Sequence, residues 1–345
     1  MRNQPTSTSL EAEKGRNLFL DAARTIAAWG VIAIHVPYET WGAKAFNQIF
    51  WPTCVPFFYV AGLVFFIKSV KLDNVPGLLQ KQWARLMIPY ICWTVIYLAL
   101  RLAKGILTHD PPKIEWVAAL FYGASAVHLY FLPMLLIFQA LALSLILISK
   151  GQGRLKGQGV AILVIALIVF SGGYFRKYYD KGSTGYFLAV AMYLSAGFLF
   201  ASRMKNGRMA KGWGLAGLAI WVAAVAMNFK GWRLTVLDCP LLLPFGGIGF
   251  FMLAASDLFQ LRANRFTPFL GLSYGIYLSH VIFQEFFEFA FAKFAHGHVV
   301  YNALTKVAVT TVIFGLAMML TLALPRLVPA AGWLFGEYRK RSPKA

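Results

Sequence analysis

Apolar residues run along this chain in ten stretches of membrane-spanning length, roughly 19 to 36, 50 to 67, 86 to 103, 128 to 149, 159 to 175, 186 to 202, 212 to 228, 240 to 257, 268 to 290 and 299 to 324. Crossing the hydrocarbon as a helix takes about 20 mostly apolar residues. None of the stretches shows the strict alternation of a barrel strand, so helices are expected. Polar positions inside them are few, and their spacing is informative. The first stretch carries Asp21, Arg24 and His35. The ninth, LGLSYGIYLSHVIFQEFFEF, places Ser273, Tyr277, His280, Gln284 and Glu288 at intervals of four, three, four and four, which is one helical face. Such a stripe in an apolar helix faces the bundle interior or a cavity. The expected fold is therefore an all-α integral membrane bundle of about ten transmembrane helices.

Composition agrees: 59% of residues are hydrophobic, 16% aromatic and only 13% charged, against about a quarter charged in soluble domains. A soluble or disordered chain is excluded. Lys and Arg number 33 against 13 Asp and Glu, a formal charge of +20. In a membrane protein this points to cytoplasmic loops held against anionic lipid, so the partners expected are membrane lipids and not nucleic acid. Alternate loops divide these cations 21 to 10, with both tails in the larger set, which predicts cytoplasmic termini. The first apolar stretch carries charges and has no small-residue cleavage site after it, so it is expected to stay as an uncleaved helix. No loop is long enough for a second domain. The organisation expected is a cytoplasmic tail 1–18, a membrane domain 19–324 and a basic cytoplasmic tail 325–345, with a Gln/Gly/Lys linker at 150–159. The cysteines Cys54, Cys92 and Cys239 show no CxxC spacing, which removes a disulfide framework or zinc site as organising device.

Ionisable residues at membrane depth are costly and mark candidate chemistry. Arg24 and His35 are eleven residues apart, within about 20° of one face and about 16 Å apart along the axis. Asp21, three residues before Arg24, can pair with it, and Gly30 between them permits close packing. The third stretch is entered through KQWARLMIPY, with Lys81 and Arg85 on one face before Pro89. Topogenic anchoring would explain these cations too. Their shared depth with Arg24 suggests a phosphate clamp at the inner leaflet, in which Arg binds as a planar fork and Lys as a point charge. His35, His128 and His280 are expected to gather in the outer half. His296 and His298 are read as exposed loop histidines, His109 as a turn residue, and Cys54 and Cys92 as packing residues. Glu285 is either a boundary carboxylate or a base at an acceptor site. No metal ligand set is found.

LDAARTIAAWGVIAIH resembles the first helix of the bacterial acyltransferase family 3 membrane enzymes, whose signature is an Arg, ten residues, then a His; Arg24 and His35 match it. Arg85 in RLMIPY fits the second Arg of the family's Arg-x-x-Arg, HLYFLPMLL fits the fourth span, and LSYGIYLSH fits the late one. Gln82 stands where the pair's first Arg would be, with Lys81 beside it. The stand-alone length fits forms without the added extracytoplasmic hydrolase-like domain.

The resemblance implies O-acyl transfer, commonly acetyl from cytosolic acetyl-CoA, to a hydroxyl of a glycan or lipid-linked sugar facing outward, in a multi-pass protein of the bacterial inner membrane. CoA phosphates would sit at Arg24, Lys81 and Arg85, and the pantetheine arm would lead the thioester toward the histidines. His35 is the expected general base, with Arg24 and His280 beside it as catalytic residues. His128, Tyr277, Ser273 and Gln284 are expected to bind substrate, with acetyl-CoA a donor substrate and no resident cofactor. A covalent acyl-histidine relay is the other route. The competing class is a polytopic transporter of a sugar or proton-coupled solute, against which no pair of Gly/Pro-broken helices recurs in two halves.

Overall fold

The computed structural model describes residues 17–149, 183–232, 235–236, 239–240, 242–264, 266–294 and 300–336. The stretch 159–175, the linker 150–159, His296, His298 and the tail residues 1–16 and 337–345 lie outside them. Helix α1 spans Leu18–His35; the Asn17 side chain accepts from the Leu20 N–H at its start. It stops at His35 because Pro37 forces the residue before it, Val36, into extended backbone. Then come α2 (Trp41–Phe50), capped by Thr40, and α3 (Cys54–Ser69). Gly30 lets α1 cross these closely, since a Cβ there would overlap the Phe50 ring and Cys54.

Helix α4 (Val75–Gln82) runs into a π-helical turn, Trp83–Met87, and then α5 (Ile88–Thr108). Pro89 explains the turn: without an N–H it cannot bond the Arg85 carbonyl, and the Ile88 N–H reaches back to Trp83 instead. His109 closes α5 in the left-handed conformation as a turn residue. A short helix α6 (Trp116–Phe121) precedes α7 (Phe131–Ser149). His128 does not open that span as a helical residue. It sits in a tight turn before α7, where Gly123 has φ 73° and its missing Cβ leaves room for the Leu129 and Tyr130 backbone.

The remaining helices are α8 (Ser183–Arg203), α9 (Lys211–Phe229), α10 (Leu242–Ala255), α11 (Ser273–Phe294) and α12 (Ala303–Leu327). A two-residue antiparallel pair, Thr235–Val236 with Cys239–Pro240, joins α9 to α10. Short 3₁₀ turns, Thr267–Gly271 and Pro329–Phe335, flank α11 and follow α12.

Among the described residues six helical segments are long and apolar enough to cross a membrane: 18–35, 41–69, 72–108, 131–149, 211–229 and 303–327. α11 is not among them. Burial follows the logic of a lipid solvent: Ile106, Leu304 and Leu327 are exposed on the outside, whereas His280, Gln139, Lys306 and Thr310 are buried. A small cluster of Ala28, Ile32, Val36, Ile276, Ile313 and Ala317 clamps α1, α11 and α12 together. That contact sets α11's polar stripe against the end of α1.

Candidate active site

Both ends of the site are built on α1. Near its start, Arg24 Nη1 lies 3.7 Å from Asp21 Oδ1, the expected one-turn pair. Arg24 lines a cavity of about 780 Å³ together with Lys81, Gln82 and Arg85. The cations expected to act together thus surround one space. Arg85 is delivered by the π-helical turn, whose wider coil is backed by Gly336 at φ 73°, tight against the Arg85 carbonyl. The far wall is apolar, made by Phe58, Phe131 and Leu135, with Gln139 and Tyr274 as polar interruptions.

At the other end of α1 the three expected histidines meet. The ring centroids of His128 and His280 are 4.7 Å apart, and those of His35 and His280 are 6.2 Å apart with nearly parallel planes. His280 Nδ1 is 2.7 Å from the Tyr277 carbonyl. A carbonyl only accepts, so Nδ1 carries the hydrogen and the neutral ring keeps a lone pair on Nε2. That Nε2 and both ring nitrogens of His128 are buried with no hydrogen-bond partner among the described residues. The Tyr277 hydroxyl donates to the His128 carbonyl, and the Tyr97 hydroxyl donates to Leu278 O at 2.7 Å. The first bond pins the His128 turn to α11, and the second ties α5 to α11. Of the three histidines, His35 is half-buried while His128 and His280 are 2% and 0% exposed, so His35 is the least enclosed.

Gln284 supports this end: its Nε2 donates to the His35 carbonyl and to Glu288 Oε1, each at 3.0 Å. Its link to the site is thus through the backbone of His35. Ser273 is buried at the start of α11, about 10 Å of helix from His280, and does not join the histidines. Nor do the histidines line the cavity: Phe131 and Phe58 stand between, their rings 5.4 and 6.5 Å from that of Tyr277. One aromatic layer separates the cationic space from the imidazoles. Glu285 pairs with Lys104 at 2.5 Å, both half-exposed. Cys54 is buried in the core as a packing residue.

Sequence reading passed over Lys306. It is 1% exposed, and its ammonium donates to the carbonyls of Val36 and Pro37, directly after His35. A cation on the carbonyls that end α1 is favourable there and fixes the backbone that presents His35. A single Lys inside an otherwise apolar last span was the available signal.

The family described as an acyltransferase domain matches residues 17–325. No curated protein and no solved structure matches the chain. The match spans the Arg24 to His35 helix, the cationic turn, the histidine turn and the polar stripe of α11, all set among helices apolar enough to cross a membrane. The chain belongs to acyltransferase family 3 and is a multi-pass membrane acyltransferase.

Proposed function

We propose that the protein moves an acyl group, acetyl in the simplest case, from cytosolic acyl-CoA to a hydroxyl of a glycan or lipid-linked sugar on the outer side of the bacterial inner membrane. In this reading the chain makes ten spans with both termini cytoplasmic, residues 19–324 forming the membrane domain between the tails 1–18 and 325–345. The observation that carries it is the polarity of α1, with a cationic cavity at Arg24 and a cluster of imidazoles at His35. Phosphates bind at the former through Arg24, Lys81 and Arg85. The thioester reaches the latter past Phe58 and Phe131.

At the histidines the reaction is a direct transfer. His35 takes the proton of the acceptor hydroxyl as its oxygen attacks the thioester carbonyl. The tetrahedral intermediate collapses, the C–S bond breaks, and the imidazolium returns the proton to the departing thiolate, giving ester and free CoA. His280, held by its Nδ1 bond to the Tyr277 carbonyl, supports the His35 ring across the stacked contact. His128 and Tyr277 border the acceptor pocket, and Gln284 holds the His35 backbone.

The test is thiol release by purified protein given acetyl-CoA with and without a glycan acceptor. Acceptor-dependent release is expected. Uptake of a sugar into proteoliposomes with acetyl-CoA left intact would favour a transporter instead.

A further inference from the structure

Beside Arg24, Lys81 and Arg85, on which the phosphates have been placed, two residues in the cavity wall carry buried polar groups with no partner among the described residues. Gln139, on α7, is 5% exposed, and its Oε1 is buried with no hydrogen-bond partner among the described residues. The Tyr274 hydroxyl on α11 is likewise buried and unpartnered. Both residues line the same cavity as the three cations. A buried polar group without a partner costs about 1–3 kcal/mol, so two of them in the walls of one cavity point to a polar ligand that enters it.

Depth narrows the ligand. Tyr274 lies six residues before His280 on α11, about 9 Å along the axis, and Gln139 lies eight residues after Phe131 on α7, about 12 Å. Arg24 is about 16 Å from His35 on α1. Tyr274 therefore stands between the phosphate end and the histidines, and Gln139 lines the same cavity nearer the phosphate end. The walls around them, Phe58, Phe131 and Leu135, are apolar. A ligand matching that sequence has phosphates at one end and then a slender chain carrying isolated amide donors and acceptors. A carboxamide and a phenol each both donate and accept, which suits such amides.

Resting on the acyl-CoA reading above, we infer that Gln139 and Tyr274 form a subsite for the pantetheine arm of the donor, hydrogen-bonding its amides and so setting the thioester's path toward the histidines. Phosphate capture and arm reading are then separate functions of one cavity.

The experiment is calorimetric titration of the purified full-length protein with CoA and with adenosine 3′,5′-bisphosphate, which keeps phosphates and lacks the arm. Gln139→Leu and Tyr274→Phe should each weaken CoA about ten-fold and leave the bisphosphate unchanged, whereas Arg85→Lys should weaken both. Tyr274→Phe removes one oxygen and keeps the ring, so it guards against a Gln139→Leu protein that fails to fold. Equal weakening of both ligands by the Gln139 and Tyr274 variants would overturn the proposal, moving these residues to the nucleotide or to a general structural role. Unchanged CoA affinity in both variants, with tight binding by the unmodified protein, would also overturn it and leave the donor reading standing. Binding of neither ligand by the unmodified protein would overturn both.

Discussion

At one end of α1, Arg24 shares a cavity of about 780 Å³ with Lys81 and Arg85; at the other, His35 stacks on His280 in surroundings where His128 and His280 are almost fully buried. The cationic end is roomy, and Arg24 retains 36% side-chain exposure. It suits a charged group that arrives from water and must leave again. The histidine end is close-packed by Tyr97, Tyr277 and Phe131. There the useful group is a neutral ring that can take a proton without a charge being stored beforehand. The contrast teaches that capture of a polyanion and proton transfer need opposite solvation, and one 18-residue helix keeps them about 16 Å apart.

The largest effect expected from breaking this division is at the base. His35→Ala should cut acyl transfer by about 10²- to 10⁴-fold with insertion intact, measured as acceptor-dependent CoA release. If turnover stays near normal, His35 is structural and His280, whose Nε2 has no partner among the described residues, takes its place.

At the cationic end the expected effect is smaller and confined to the donor. Arg85→Lys keeps the charge but loses the planar fork, and should raise the KM for acetyl-CoA about ten-fold with the glycan KM unchanged. Gln82→Arg, whose position lines the same cavity, should lower the donor KM. An unchanged donor KM in Arg85→Lys would leave Arg24 as the phosphate residue. Raising ionic strength should weaken CoA binding, because these cations face an open, solvated space.

How far these two ends were legible beforehand differs for a physical reason. The Arg24 to His35 spacing and the stripe from Tyr277 to Gln284 are properties of single helices, so helical periodicity exposes them. The gathering of Arg24 with Lys81 and Arg85 rests on equal depth in the membrane, which the hydrophobic pattern also records. Lys306 stood out as a lone cation in an apolar span, but its role was not legible, because its partners are the Val36 and Pro37 carbonyls across the bundle, and a backbone acceptor leaves no mark on sequence. The same holds for Gln139, a single amide in FLPMLLIFQALALSLILIS whose meaning comes only from the cavity it lines. The folding of His128 into a turn, rather than a helix start, depends on where Gly123 allows the backbones to approach.

Between the two ends, Tyr277→Phe should reduce turnover by less than about ten-fold, since it removes one hydrogen bond that holds the His128 turn. A loss as large as that of His35→Ala would mean that the hydroxyl takes part in the chemistry. Smallest of all, Lys104→Ala should leave activity and stability nearly unchanged, because its pairing with Glu285 is half-exposed. A marked loss of acceptor affinity would restore Glu285 as a group of the acceptor site.

The division of labour along α1 is tested most directly by comparing acetyl-CoA affinity with turnover in two purified variants, His35→Ala and Arg85→Lys. The account predicts that His35→Ala binds acetyl-CoA as tightly as the unmodified protein yet transfers almost nothing, while Arg85→Lys binds it about ten-fold more weakly and turns over at a rate close to normal once saturated. Weakened acetyl-CoA binding in His35→Ala with unchanged binding in Arg85→Lys would contradict it.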